Sequence, residues 1–394
     1  MAARTDAAAS CYPHWCSLLL IFFLLTFTTS QAKASIHYNH QELLQIGSSS
    51  TGDYFNTESI PQEILRSPGL LLTTAILGNR RGRKRSKRKQ KRDSETCMKC
   101  HDEEWPNEKK NQCIPKLEEF LSYTDDTITA VFSALSIHCC LLTGFIFGIF
   151  VYHRDTPIVK ANNRNLSYVL LVSIMLSFLC VFFFLGPPVD VTCRLRVTSF
   201  GIIFSVAVSC LLAKTFMVFI AFKASKPGNS WKKWMGSKLS NSIMLLCSSV
   251  QVIICVTWVS ISPPFQERDA KAYQEKIVIQ CNEGSVIGFY SVLGYMGILA
   301  AVSFITAFLA RTLPDSFNEA KYITFSMLVF CSVWIAMIPA YLSTKGKYMV
   351  AVQVFAIMTS SAGLLGCIFF PKCYTILLKP DQNTKAQLLG SKMK

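Results

Sequence analysis

Two groups of residues have types and spacing that could do chemistry: cysteines set for cross-linking, and a lysine placed where an ion is costly. Cys97, Cys100 and Cys113 stand with two and then twelve residues between them. Such spacing suits zinc, but a fourth ligand is missing and His101 adjoins Cys100 too closely to serve. A disulfide in a small extracellular module fits better and leaves one of the three cysteines over. Cys193 and Cys281 flank apolar segments, and a bond between them would tie a loop across the mouth of a helical bundle. Lys214 lies inside an apolar run, where an ionisable side chain is usually paired or functional. Glu319 precedes the run that starts at Ile323 by one helical turn and could pair with it; alternatively Lys214 snorkels to the interface. The residues leave both readings open. His138 could act as a ligand or proton site and Trp334 as a rotating element under a cavity, but packing in the core is the commoner fate of such residues. No metal-ligand set, phosphate loop or nucleophile–base arrangement is present, so no enzyme, metal or cofactor is expected.

The elements that must position these residues are seven apolar segments: Thr127–Val151, Leu166–Gly186, Val197–Phe222, Ser242–Ser262, Ser285–Ala310, Ile323–Leu342 and Met349–Phe370. A helix of about 20 residues crosses the hydrocarbon core, and in lipid an isolated segment of that length must be helical. The expected fold is an all-α membrane protein, a seven-transmembrane helix bundle. Pro339, in the sixth segment, is placed to kink it, and the polar stretch Arg311–Tyr322 before that segment could move at its base. Hydrophobic residues make up 51% of the chain and charged ones 16%, which fits this class better than a soluble one. The loops after segments one, three and five and the tail, counted from Pro371 and so with Lys372, carry fifteen Lys and Arg residues, and the opposite loops carry seven. The C-terminus is therefore expected in the cytoplasm and the N-terminus outside. Nine cysteines in or beside the apolar segments read as small packing residues.

The net charge of +16 is concentrated: ten of the thirteen residues from Arg80 to Arg92 are basic. That run predicts a disordered, solvated segment over 35–96, and no nucleic-acid partner. Residues 1–34 read as a signal peptide, with an apolar run from Ser17 to Thr29 and small residues at Ala32 and Ala34. The remaining expected divisions are a disulfide-bonded remnant at 97–118, the membrane domain at 127–374 and a cytoplasmic tail at 375–394.

Several stretches carry a resemblance: Arg154-Asp-Thr-Pro-Ile-Val-Lys-Ala-Asn-Asn163, Cys281-Asn-Glu-Gly-Ser285, Leu313-Pro-Asp-Ser-Phe-Asn-Glu-Ala-Lys321, Ser343-Thr-Lys-Gly-Lys347 and Pro371-Lys-Cys-Tyr374. From Cys97 to about Leu388 the chain resembles the class C G-protein-coupled receptors, above all the vomeronasal type-2 receptors and their fish olfactory relatives, with the calcium-sensing receptor related. The resemblance implies a plasma-membrane receptor that works as a dimer with itself or with relatives, and passes a chemosensory signal to a heterotrimeric G protein. It implies disulfides Cys193–Cys281 and Cys100–Cys113, an ionic lock of Lys214 and Glu319, and a switch at Trp334. It also implies a helix-seven end motif of Pro371, Lys372 and Tyr374, and a modulator pocket at Gln353, where an amide replaces the family's usual carboxylate. The family's two-lobed outer domain and most of its cysteine-rich domain have no counterpart in residues 1–96. The alternative is a non-signalling membrane protein that pairs with full-length relatives, or a fragment.

Overall fold

The computed structural model describes residues 99–123, 126–224, 237–271, 273–311 and 319–379. The signal-like segment, the basic run, Cys97, most of the polar stretch before the sixth helix and the tail beyond 379 lie outside the described residues.

Among the described residues, seven helices are long and apolar enough to cross a membrane. They are α1 (Thr127–Tyr152), α2 (Arg164–Cys180), α3 (Asp190–Ala224), α4 (Ser237–Ile261), α5 (Val286–Ala310), α6 (Glu319–Ser343) and α7 (Lys347–Leu378). Each overlaps one of the apolar runs; α3, α6 and α7 extend beyond theirs at both ends, while α2 stops short of the expected end at Gly186. A 3-10 turn, Val181–Phe183, prolongs α2, and a five-residue helix, Pro157–Ala161, lies between α1 and α2. Two differences in extent matter. Cys193 sits within the first turns of α3, not before the helix. α7 does not stop at Phe370; it runs through Pro371 to Leu378, so Lys372 lies inside a helix and not in a tail. Proline removes one backbone donor, but here the next turn still forms, with the Thr375 hydroxyl donating to the Pro371 carbonyl at 3.1 Å.

The core is shared by all helices but unevenly: α7 is the most enclosed, while α1 and α4 are the least. Phe150, Phe178, Phe204 and Phe369 are fully buried in it. Since lipid is as apolar as these side chains, helix contacts lean on close approach and polar bonds. Gly363 of α7 supplies the first: a Cβ there would stand 2.9 Å from Val329 of α6. Ser177 and Ser361 supply the second, bonding α2 to α7 at 2.6 Å in a buried setting. His138 corrects the expectation of a packed residue: it is exposed on the outer face of α1, beside exposed Ile137.

Strands were not expected, and the described residues hold five short ones. β1 (Glu104–Pro106) and β2 (Cys113–Pro115) form an antiparallel pair. β3 (Leu117–Glu119), β4 (Phe265–Asp269) and β5 (Lys276–Asn282) form a sheet in the order β3-β5-β4, with β3 parallel and β4 antiparallel to β5. The last two strands are the loop between α4 and α5. The segment that leads into α1 is thereby built into that loop.

Candidate functional site

The bundle is tied across both ends, and the ties differ in chemistry. At one end stand the disulfides. Cys100 and Cys113 are bonded and close the β1–β2 pair; Cys193 and Cys281 are bonded and pin β5 to the start of α3. Around them the segment 116–126 touches three loops. Its β3 pairs with β5, with ion pairs Arg268–Glu118 and Lys276–Glu119 on either side. Tyr123 donates to the carbonyls of Phe182 and Leu185, and its ring lies on Gly186, whose φ of +80° and lack of Cβ permit that approach. Asp126, at the head of α1, accepts from the Ser122 backbone at 3.1 Å and from Lys347 Nζ at 2.7 Å, which ties the segment to the first residue of α7.

At the opposite end the charges are sealed in. Lys214 of α3 donates to Glu319 Oε1 at 3.0 Å, to the Asn162 carbonyl at 2.6 Å and to Ser167 Oγ at 2.9 Å. Its side chain is 1% exposed, so it does not snorkel. Lys372 of α7 reaches the same oxygen of Glu319 at 2.8 Å and Asn162 Oδ1 at 2.6 Å. The pair expected from the sequence is therefore a cluster of three charges, with Asn162 accepting from both lysines. Its amide is held by a bond from Nδ2 to the Ile158 carbonyl at 2.8 Å, one turn back in the five-residue helix. One carboxylate between two ammonium groups, each also bonded to carbonyl oxygen, satisfies the donors that burial would leave costly. The cluster joins α2, α3, α6, α7 and the α1–α2 connection at a single point, and it can open only by separating charges.

The other expected residues fall elsewhere. Trp334 of α6 packs against Phe200 at 5.0 Å between ring centroids, with Phe204 and Phe330 each at 6.1 Å. Its Nε1 meets no acceptor among the described residues. Gln353 is half-buried on α7. Pro371 is buried, while Tyr374 faces outward with Lys379 over its ring at 5.6 Å. Sequence reading missed Asn162 and the pairing of Lys372. Lys372 had a readable signal: it continues the buried row Leu364, Leu365, Ile368, Phe369 at helical spacing, and Ile376 follows it. Asn162 had none.

Residues 122–372 match the family described as "7 transmembrane sweet-taste receptor of 3 GCPR". Vomeronasal type-2 receptor 26 of Mus musculus is 54% identical over 295 residues, which is 75% of this chain and 34% of that protein. The extracellular calcium-sensing receptor of Homo sapiens is 48% identical over 274 residues, 69% of this chain and 25% of the receptor. G-protein coupled receptor family C group 6 member A of Carassius auratus is 37% identical over 301 residues, 75% and 33% of the two chains. The chain thus spans about a third or less of the length of these relatives.

Proposed function

The chain belongs to the class C G-protein-coupled receptor family, and from that premise we propose that residues 127–378 are a signalling core that passes a chemosensory stimulus to a heterotrimeric G protein. The disulfide end faces outside and the lysine end faces the cytoplasm. The imbalance of basic residues supports that orientation, and moving Lys372 from the tail into α7 does not reverse it. Residues 97–118 act as the last part of a cysteine-rich module, and 116–126 as its link to the helices. The core works as a dimer, with itself or with relatives, in the plasma membrane.

The observation that carries the reading is the buried cluster Lys214–Glu319–Lys372, which fastens α3, α6 and α7 at the end where a G protein would enter. While it is closed those helix ends are held together, so it acts as the lock on the inactive state. Trp334, packed from α6 against the α3 phenylalanines, is placed to follow any rotation of α6 and so to act as the switch. Gln353 lines a modulator pocket that an amide, not a carboxylate, would present. The test is G-protein activation in cells at matched surface expression. Glu319→Gln is expected to raise basal activation above the parent. A flat response from parent and variant across the G-protein classes overturns the reading. An epitope tag after Lys394 should stain only after permeabilisation; staining of intact cells overturns the orientation.

A further inference from the structure

The two ends of the bundle share one element. α7 begins at Lys347, bonded to Asp126, and carries Lys372, bonded to Glu319, twenty-five residues later in the same unbroken helix. At 1.5 Å per residue the two lysines stand roughly 37 Å apart along the axis. Both are held by carboxylates from other elements, one at the head of α1 and one at the start of α6.

We propose that α7 is a rod that couples the Asp126–Lys347 bridge at the disulfide end to the charge cluster at the lysine end. This rests on the reading of that cluster as the lock. Three features support it. Between Val352 and Lys372 most residues of α7 are buried, so that stretch has little room to bend. It packs closely on α6 at Gly363, where even a methyl group would collide with Val329. Close-packed interfaces respond to a push by stepping between arrangements, not by continuous deformation. The tolerance at the far end is small. Helix shifts of about 1–2 Å are usual in such transitions. A shift of that size would stretch the 2.8 Å contact of Lys372 with Glu319 beyond hydrogen-bond range. Asp126 is well placed to start it, because the same side chain accepts from the Ser122 backbone in the segment that leads in from the β1–β2 module. Movement of that segment would reach Lys347 directly.

The experiment measures amide hydrogen exchange in the full chain in lipid nanodiscs, comparing parent, Asp126→Asn, Lys347→Met, Lys347→Arg and the exchange Asp126→Lys with Lys347→Asp. Coupling predicts that Asp126→Asn and Lys347→Met speed exchange at 370–378 and 319–324 by roughly five- to tenfold, the lower range of ordinary coupling between sites. Lys347→Arg should leave exchange there near the parent rate, and the charge exchange should restore much of it. Changes confined to 117–130 and 345–352 overturn the proposal. So does a uniform rise that includes the middle of α3, which would mean general loosening. The readout needs no G protein. If Glu319→Gln leaves signalling flat while the exchange pattern holds, the lock reading fails and the coupling along α7 stands.

Discussion

Lys276 and Glu119 meet at the disulfide end with 45% and 16% of their side-chain surface open to solvent. Lys214 and Glu319 meet at the opposite end with 1% and 9% open. The same kind of ion pair does different things in the two places. An exposed pair gains little, because water competes for both partners and ordering two long side chains has an entropic cost. A buried pair adds little over apolar packing, but losing one partner leaves a bare charge. The disulfide end is therefore held by its covalent bonds and by strand pairing, with the ion pairs as trim. The lysine end is held by charge, which can be separated and rejoined. One end is thus a fixed covalent frame and the other a reversible fastening.

The contrast is broken most severely by removing the covalent part. Cys193→Ser or Cys281→Ser releases β5 from α3 and should destabilise the chain by about 2–4 kcal/mol, the usual range for a disulfide. The double variant should match either single one, since each already removes the whole bond. Melting temperature in detergent, together with the surface count, checks this. A double variant as stable as the parent would mean that the sheet alone holds this end.

The next effect sharpens the other side of the comparison. Glu319→Gln removes the carboxylate shared by the two ammonium groups and leaves them beside the neutral oxygens of Asn162 and Ser167. Lys214→Met or Lys372→Met leaves one lysine with the carboxylate, a balanced pair. Basal activation should therefore rise more for Glu319→Gln than for either lysine variant. Losing both lysines removes both cations from the carboxylate, and Lys214→Met with Lys372→Met should exceed the sum of the two singles. Breaking a buried pair costs about 3–5 kcal/mol, and nearness to the membrane surface lowers that. The three-charge description is lost if Lys372→Met changes nothing while Lys214→Met matches Glu319→Gln.

The seven helices were legible because lipid enforces uniform apolar runs, and Lys214 stood out as the one ion inside them. Glu319 could be paired with it because one helical turn fixes its level. Lys372 was misplaced because the run stops at Phe370 and Pro371 reads as a stop; tertiary burial carries the helix past both. The sheet was illegible for a different reason. β3 is Leu-Glu-Glu, with no alternation, and its leucine side chain is 73% exposed. Its strand form comes from β5, whose paired residues lie 159 positions further along the chain, and local pattern cannot report a partner at that range.

The smallest effect belongs to that strand, and it separates backbone from side chain. Arg268 and Glu118 are 52% and 47% exposed, so their bond is open to water and salt. Replacing either with alanine should cost less than about 1 kcal/mol, within the range for exposed pairs. Leu117→Ala should also be nearly silent, since so little of that side chain is buried. Leu117→Pro is different. The Leu117 backbone N–H donates to the Glu275 carbonyl at 3.2 Å, and proline has no such donor. That loss should cost about 1 kcal/mol, the usual net worth of one hydrogen bond. It should appear as faster hydrogen exchange along β5 with the lysine end unchanged. If the alanine variants equal the proline variant, side chains and not strand pairing hold the segment, and the account of this end given by its covalent and backbone bonds fails.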